Sequence, residues 1–365
     1  MTDQIEVLEQ FRTQVVHATE RQQPLQIRGG GTKDWYGQSI EGELLNTRSY
    51  QGVLAYDPAE LVITARCGTR LEDIEELLAR HNQMLPFEPP HFGPDATLGG
   101  CIAAGLAGPR RSAAGAARDF MLGAVVMNGR GEVLHFGGQV MKNVAGYDVS
   151  RLMAGSLGTL GLMLELSVKV LPRPFAETTL QFDTNATDAV RKLNEWAGRP
   201  LPITASAWRD GTLALRLAGA EAAVKAARAA LGGEAVDVIE AAHFWQGLRE
   251  QTDAFFTHIE PNAALWRLSL PSITEPLPLP GTQLMEWGGA QRWWITETDA
   301  PLVRMAARQA GGHATLFRPG PGNGNLRQAG VFTPLPAPLM KIHRGLKTAF
   351  DPAHIFNRGR LYPDF

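Results

Sequence analysis

The sequence predicts an α+β fold in two parts, and three observations carry that prediction. At 365 residues with 44% hydrophobic content, the chain exceeds the length at which one hydrophobic core stops growing. Its texture changes at Leu171-Pro172-Arg173-Pro174: the part before is rich in glycine, and seven of the eight tryptophans come after it. Beyond that point strand-like and helix-like stretches run in the order β-α-β-β-α-β, a split unit. A first domain of residues 1–174, completed by residues 340–365, is therefore expected beneath a second, α+β domain of residues 175–339.

In chain order, Ile5, Leu8, Phe11 and Val15 recur at helical spacing. Asp3, Glu6, Glu9 and Glu20 lie among them, the reverse of a targeting segment. Residues 25–27 read as a strand that runs directly into Arg28-Gly29-Gly30-Gly31-Thr32-Lys33. Residues 61–66 form the next strand. Thr69 is placed to cap a following helix with Glu72 answering it, and Leu71, Ile74, Leu77 and Leu78 supply that helix's apolar face. A proline-rich loop, 85–94, precedes the small-residue run 96–108. A hairpin is expected at 123–128 and 132–136 around Gly129 and Gly131. The glycine run 155–161 leads into an apolar strand. After Pro174, strands are expected at 178–182, 203–208, 213–217 and 235–239, with helices at 188–196 and 221–231, the second stopped by Gly232-Gly233. A looser set covers 243–317, with a strand pair near 284–287 and 292–295, and 339–365 reads as a helix followed by an extended tail.

Composition excludes several classes. With 35 basic and 37 acidic residues and a net charge of -2, no nucleic-acid footprint exists. The longest uncharged stretch, 96–109, is short and dominated by Gly and Ala, so no membrane span is expected. Two cysteines, Cys67 and Cys101, are too few for a disulfide framework or a four-thiolate cluster and read as small buried hydrophobes in a reducing, cytoplasmic setting. The nine histidines show no H-x-H or H-x-x-x-H pairing, so no metal site is expected; His91 and His135, in the glycine-rich half, are candidates to lie near a cofactor, with an ordinary surface or buried histidine as the competing explanation. Gly155-Ser156-Leu157-Gly158-Thr159-Leu160-Gly161 is G-x-x-G-x-x-G before a strand, which is not a dinucleotide fingerprint, and no phosphate loop ending in G-K-[ST] occurs.

Gly29-Gly30-Gly31 after a strand suits a phosphate, which wants several converging backbone N–H groups and close approach of main chain. Thr32 offers a hydroxyl and Arg28 or Lys33 a charge. An ordinary glycine turn is the competing explanation. In the second segment, a helix starting near Gly99 or Gly100 would present free N–H groups as a second anion site. Close packing of small residues against a sheet is the alternative there.

Taken together, Pro24 to Lys33, Ala96-Thr97-Leu98-Gly99-Gly100, Lys142-Asn143-Val144-Ala145-Gly146-Tyr147-Asp148, the 155–161 run and the tail Phe350-Asp351-Pro352 with Ile355-Phe356-Asn357-Arg358-Gly359-Arg360 resemble the PCMH-type FAD-binding domain of the vanillyl-alcohol oxidase and p-cresol methylhydroxylase superfamily. Within it the chain resembles the E-type, FAD-binding subunits of bacterial glycolate oxidases. The resemblance implies a two-part FAD-binding domain with an α+β cap, and a cofactor held without a covalent bond, since neither glycine-rich segment holds a histidine for attachment. It implies that Arg28, Gly29, Gly30, Gly31, Thr32, Lys33, Thr97, Leu98, Gly99 and Gly100 face the pyrophosphate. Pro94, Gly105, Asp119, Gly158, Gly161 and Leu162 would lie along the cofactor, and Asn357 would approach the flavin. The implied activity is oxidation of glycolate to glyoxylate in a complex with a longer D-type flavoprotein subunit and an iron-sulfur subunit, any membrane contact being made through these partners. The paired histidines of the D-type metal motif are missing from residues 311–325, so no catalytic residue and no metal ligand is assigned. Two alternatives stay open. One is a self-contained dehydrogenase of small 2-hydroxy acids using Arg318, Arg292 or Lys142 to hold the carboxylate. The other is a scaffold subunit docking through exposed tryptophans among Trp245, Trp266, Trp287, Trp293 and Trp294.

Overall fold

The computed structural model describes residues 2–138, 149–363 and 365. The motif at 142–148, with Lys142, lies outside the described residues. The first helix, α1 (Thr2–Arg21), buries Val7, Phe11, Val15 and Ala18. Ile5 is 63% exposed, so the buried stripe begins at Val7 and not at Ile5. Next, β1 (Leu25–Arg28) and β2 (Glu43–Asn46) pair in parallel. Then come β3 (Val53–Asp57), β4 (Val62–Arg66), α2 (Leu71–Arg80), β5 (Gln83–Met84), α3 (Leu98–Ala104), α4 (Arg111–Ala114), β6 (Met121–Met127), β7 (Val133–Gly137), β8 (Leu162–Lys169) and β9 (Leu171–Pro172). Five of these strands form an antiparallel sheet in the order β3-β4-β8-β6-β7. Its central strand β8 is buried nearly throughout, as its Leu- and Val-rich sequence requires. The expected capping of α2 by Thr69 does not form. Arg70 is the N-cap, and the Thr69 hydroxyl instead accepts the Gly52 N–H at 2.9 Å, tying two loops together.

The second part contributes β10 (Ala176–Asp183), α5 (Ala186–Ala197), β11 (Ile203–Arg209), β12 (Thr212–Gly219), α6 (Glu221–Leu231), β13 (Glu234–Ala235), α7 (Val238–Glu250), α8 (Ala254–Thr257), β14 (Ala264–Ser269), β15 (Thr282–Glu286), β16 (Gln291–Thr296), α9 (Ala300–Gln309) and β17 (His313–Pro319). They make one eight-stranded sheet, β13-β10-β12-β11-β15-β16-β14-β17. The split unit forms its first half, and the looser set repeats the strand order in reverse across the β11–β15 seam. The strand expected at 235–239 is only two residues long. The Asp237 carboxylate accepts the N–H groups of Ile239 at 2.9 Å and Glu240 at 3.2 Å and starts α7 there. Finally α10 (Ala337–Phe350) returns the chain to the first part.

The first part has one apolar core and the second has two, and a further cluster lies between the parts. Tyr36, Leu106 and Leu157 from the first part pack with Trp245, Phe256, Leu265, Trp293 and Phe317 of the second. Trp245, Trp266, Trp293 and Trp294 are all buried, so the tryptophan-rich half is aromatic for packing and does not present these rings as a docking surface. Trp287 is partly buried with the Arg111 guanidinium 4.6 Å above its ring.

Candidate cofactor cleft

Along the first part runs a cleft enclosing about 810 Å³ of empty space, part of it open to solvent. One wall is the loop after β1, Arg28 to Lys33; the other is the start of α3 with Leu157, Gly158, Gly161 and Leu162 before and in β8. The N–H groups of Gly29, Gly30, Gly31, Thr32 and Lys33 donate to no acceptor among the described residues. Five consecutive unpaired donors along a cleft are the chemistry an anionic pyrophosphate requires. The loop can take this course because a Cβ at Gly30 would lie 1.5 Å from the carbonyl oxygen of Asp95. No other residue fits that approach.

The opposite wall works differently from expectation. Helix α3 begins at Leu98, and its first donors are satisfied by the protein. Leu98 N–H donates to Thr69 at 2.9 Å, Gly99 to Cys67 at 2.8 Å and Gly100 to the Thr97 hydroxyl at 3.2 Å. The helix start is therefore not a free anion site; Gly99, Gly100, Ala103 and Ala104 supply a smooth, small-residue wall. The Thr32 hydroxyl and the Lys33 ammonium both donate to the carbonyl of His91, at 2.7 Å and 3.1 Å. Burial lowers the pKa of Lys33. Arg28 pairs with Asp34 at 2.6 Å at the half-exposed rim. Cys67 lines the cleft and Cys101 lies behind it, both thiols pushed up to about 12 by burial. They are inert packing residues at neutral pH.

Asn357 closes the cleft's end. It is 5% exposed with φ +40. Its Oδ1 accepts the Ile27 N–H at 2.8 Å, and its Nδ2 donates to the Leu157 carbonyl at 2.6 Å. Both halves of the amide thus clamp protein backbone to protein backbone. Gly158, at φ +72, leaves room for it, since a Cβ there would lie 2.7 Å from Asn357 Nδ2. Beneath it the fully buried Lys347 ammonium donates to Thr159, to Asp351 and to Phe356 at 2.7, 2.8 and 2.7 Å. Asp351 in turn accepts the N–H groups of Ile355 and Phe356. This cluster fixes the tail against the 155–161 loop.

Thirteen of the expected positions line the cleft together: residues 28–33, Thr97, Gly99, Gly100, Gly158, Gly161, Leu162 and Asn357. Four do not. Leu98 turns into the core at 1% exposure. Gly105 ends α3 in the left-handed conformation. Pro94 is exposed, its carbonyl accepting from Arg70. Asp119 accepts the Ala116 N–H in a short turn on the surface. Arg360 also lines the cleft, and in the sequence only its place in the tail motif marks it. Its guanidinium donates to the carbonyls of Gln38, Asp34 and Lys33 and so shapes the glycine loop from behind. Gln26, Thr47 and Met163 also line the cleft without any motif that marks them.

Between the two parts, Arg318 lies 4.4 Å from the Trp35 ring centroid and 5.4 Å from that of Phe92, its pKa lowered to about 10 by burial. Arg267 stands over the rings of Tyr36 and Phe317 and donates to the Tyr36 hydroxyl at 3.0 Å. Neither arginine has an acidic partner among the described residues. Arg292, by contrast, is fully buried against the carbonyls of Gly289 and Thr274, which removes it as a candidate for holding a small acid.

Residues 4–137 match the FAD binding domain family. Over 351 residues, 96% of each chain, the protein is 48% identical to glycolate oxidase subunit GlcE of Escherichia coli K12. It is 33% identical over 164 residues to glycolate oxidase subunit GlcD of Bacillus subtilis 168, a match covering 44% of this chain and 35% of that one. Among solved structures it is similar in fold to an alkyldihydroxyacetonephosphate synthase, with a TM-score of 0.64 at 15% identity, covering 96% of this chain and 75% of the other. Cleft, domain match and full-length likeness agree, and the chain belongs to the family of glycolate oxidase subunit GlcE, FAD-dependent oxidoreductases of the vanillyl-alcohol oxidase and p-cresol methylhydroxylase fold.

Proposed function

We propose that this protein is the FAD-bearing subunit of a complex that oxidises glycolate to glyoxylate and passes the electrons toward an iron-sulfur subunit. The observation that carries this reading is the likeness to subunit GlcE across 96% of both chains. In this reading residues 1–174 with 340–365 form the flavin domain and 175–339 the cap. The residues of the loop 28–33 hold the pyrophosphate through their unpaired N–H groups, and Asn357 holds the floor under the flavin. Bound FAD supplies a two-electron acceptor for the hydride leaving the glycolate carbon. No histidine lines the cleft, and the one lining thiol, Cys67, is kept neutral by burial, so in this reading the cofactor is held without a covalent bond. Among the described residues no helix is long and apolar enough to cross a membrane; contact with one is made through the partners, a GlcD-like flavoprotein and the iron-sulfur subunit.

Arg267 and Arg318 favour a second reading, oxidation of a small 2-hydroxy acid by this chain alone. Two half-buried guanidinium groups between the parts, neither with an acidic partner among the described residues, suit a carboxylate. Co-purification from the native source, with the visible spectrum recorded before and after glycolate, decides between the two. Bleaching of the flavin only when the partners are present supports the complex; bleaching of the isolated chain establishes self-contained oxidation. Absence of any flavin in both preparations would falsify the proposal.

A further inference from the structure

Glu250 is the last residue of α7, where the partial negative charge of the helix's terminal carbonyls disfavours an acid. Stability of its own helix therefore gives no reason for it. Its carboxylate reaches out of the cap to the first part and accepts two successive N–H groups, His91 at 3.0 Å and Phe92 at 2.8 Å, while Arg249 Nε donates to its Oε1 at 2.9 Å. Phe92 sits at φ +55, a conformation that bulky residues rarely adopt, and this geometry turns the two donors onto one acceptor.

The N–H of Phe92 and the carbonyl of His91 belong to one peptide group, and a planar peptide points them in opposite directions. On the far side that carbonyl accepts the Thr32 hydroxyl and the Lys33 ammonium. A single rigid peptide thus joins an acid of the cap to the base of the glycine loop. We propose that Glu250 is a positioning residue through which the cap sets the geometry and the charge of Lys33 in the cofactor cleft. The proposal rests on the reading that FAD occupies that cleft.

The groups facing Lys33 agree with this. From α3 comes Cys101, a thiol neutral at working pH because burial pushes it up to about 12. From β17 comes Arg318, which shares the Phe92 ring with Lys33 and opposes a second positive charge. Arg360 binds the carbonyl of Lys33 itself at 3.3 Å. Glu75 of α2 is engaged by the His91 ring at 3.3 Å and by Arg249 at 3.8 Å. No carboxylate touches the ammonium among the described residues, so Glu250 is the acid that favours its charged form against the burial that lowers its pKa.

The test is FAD affinity of the full chain, read by quenching of flavin fluorescence on titration with apoprotein between about pH 6 and 10. In the wild type affinity should fall on the alkaline side as Lys33 loses its proton. Glu250→Gln keeps an oxygen for both N–H groups and removes the charge, together with the oxygen that accepts from Arg249 Nε. Its alkaline fall should move to lower pH, with affinity at neutral pH reduced about tenfold. Lys33→Arg, whose charge does not titrate in this range, should retain affinity and lose the alkaline fall, and in that background Glu250→Gln should no longer move the profile. Superimposed profiles of wild type and Glu250→Gln, or a shift that persists beside Lys33→Arg, overturn the proposal. Unchanged affinity and profile in Lys33→Met overturns the cleft reading with it, because the lysine would then not meet the cofactor.

Discussion

Lys347 and Asp351 illustrate how much one side chain can carry. The ammonium has three hydrogens and three acceptors, all at 2.7–2.8 Å, in a place without solvent. Burial lowers the pKa of Lys347, and the adjacent Asp351 opposes that shift. Lys347→Met leaves the aspartate buried without a counter-charge, and the expected loss is about 3–5 kcal/mol, measured by urea unfolding at neutral pH. Adding Asp351→Asn should recover much of it, since both charges are then gone; a double variant no better than the single one refutes the pairing. Asn357 is the second such residue. Asn357→Ala leaves the Ile27 N–H and the Leu157 carbonyl unpaired, at about 1–3 kcal/mol each, and puts alanine at φ +40, which asparagine tolerates better. Asn357→Asp still serves Ile27 but sets a carboxylate oxygen against the Leu157 carbonyl, so both variants should release FAD more readily, whereas full retention would make the clamp irrelevant to the cofactor.

At the scale of elements, the junction of β15 with the turn that follows it holds an acid the sheet does not need. Glu286 is 3% exposed and accepts from the Trp293 indole N–H at 2.5 Å and from Gln291 at 3.2 Å. Burial raises its pKa to about 7 in spite of these donors. Because the folded value lies above the ordinary one near 4.5, the folded state binds the extra proton between them, and stability falls as pH rises through that window. Glu286→Gln keeps the acceptor and cannot ionise. It should match the wild type near pH 4 and exceed it near pH 8 by on the order of 3 kcal/mol, read as a difference in thermal midpoint. Equal midpoints at both ends would show that the carboxylate ionises freely. Elements like these were unevenly legible. Sequence pattern located α1, α2, α5, α6 and the strands β4, β6–β8, β10–β12, β15 and β16, whose burial it records, but it gave no strand at β3 and left β14 and β17 unplaced within 243–317. It missed the start of α7, where Asp237 acts through its own backbone neighbours, and it assigned Thr69 to a helix when a loop 17 residues away claims its hydroxyl. Glycines marked the cleft's first wall since no Cβ fits beside Asp95. Arg360 and Glu250 left no local signal, because their partners come from residues far off in sequence.

The whole molecule depends on the seam between its two parts. Its apolar content is the cluster around Tyr36, Trp245, Trp293 and Phe317, and its polar content is centred on Glu88. Arg216 of the cap donates to both Glu88 oxygens at 2.8 and 3.0 Å, and Arg110 of the first part donates through its N–H at 2.9 Å and its Nε at 3.2 Å. Arg110 also reaches Glu177 of the cap at 3.2 Å, and Arg216 lies 5.1 Å from the Trp245 ring centroid. Burial alone would raise the pKa of Glu88, but Arg216 and Arg110 hold it below its ordinary value. A carboxyl whose folded pKa is depressed contributes stability above its unfolded pKa and loses it as pH falls through the folded one. Arg216→Met removes the cap's half of the network, and burial then dominates at Glu88. The expected cost is about 3–5 kcal/mol at neutral pH. The difference from wild type should shrink on acidification, because Glu88 in the variant, left with Arg110 alone, takes up a proton at higher pH than in the wild type and ceases to be an under-compensated buried charge. Chemical unfolding of both proteins at a series of pH values measures this directly. A difference that stays constant with pH would assign the loss to packing against Trp245 alone, and the seam would then be held by its aromatic cluster without help from charge.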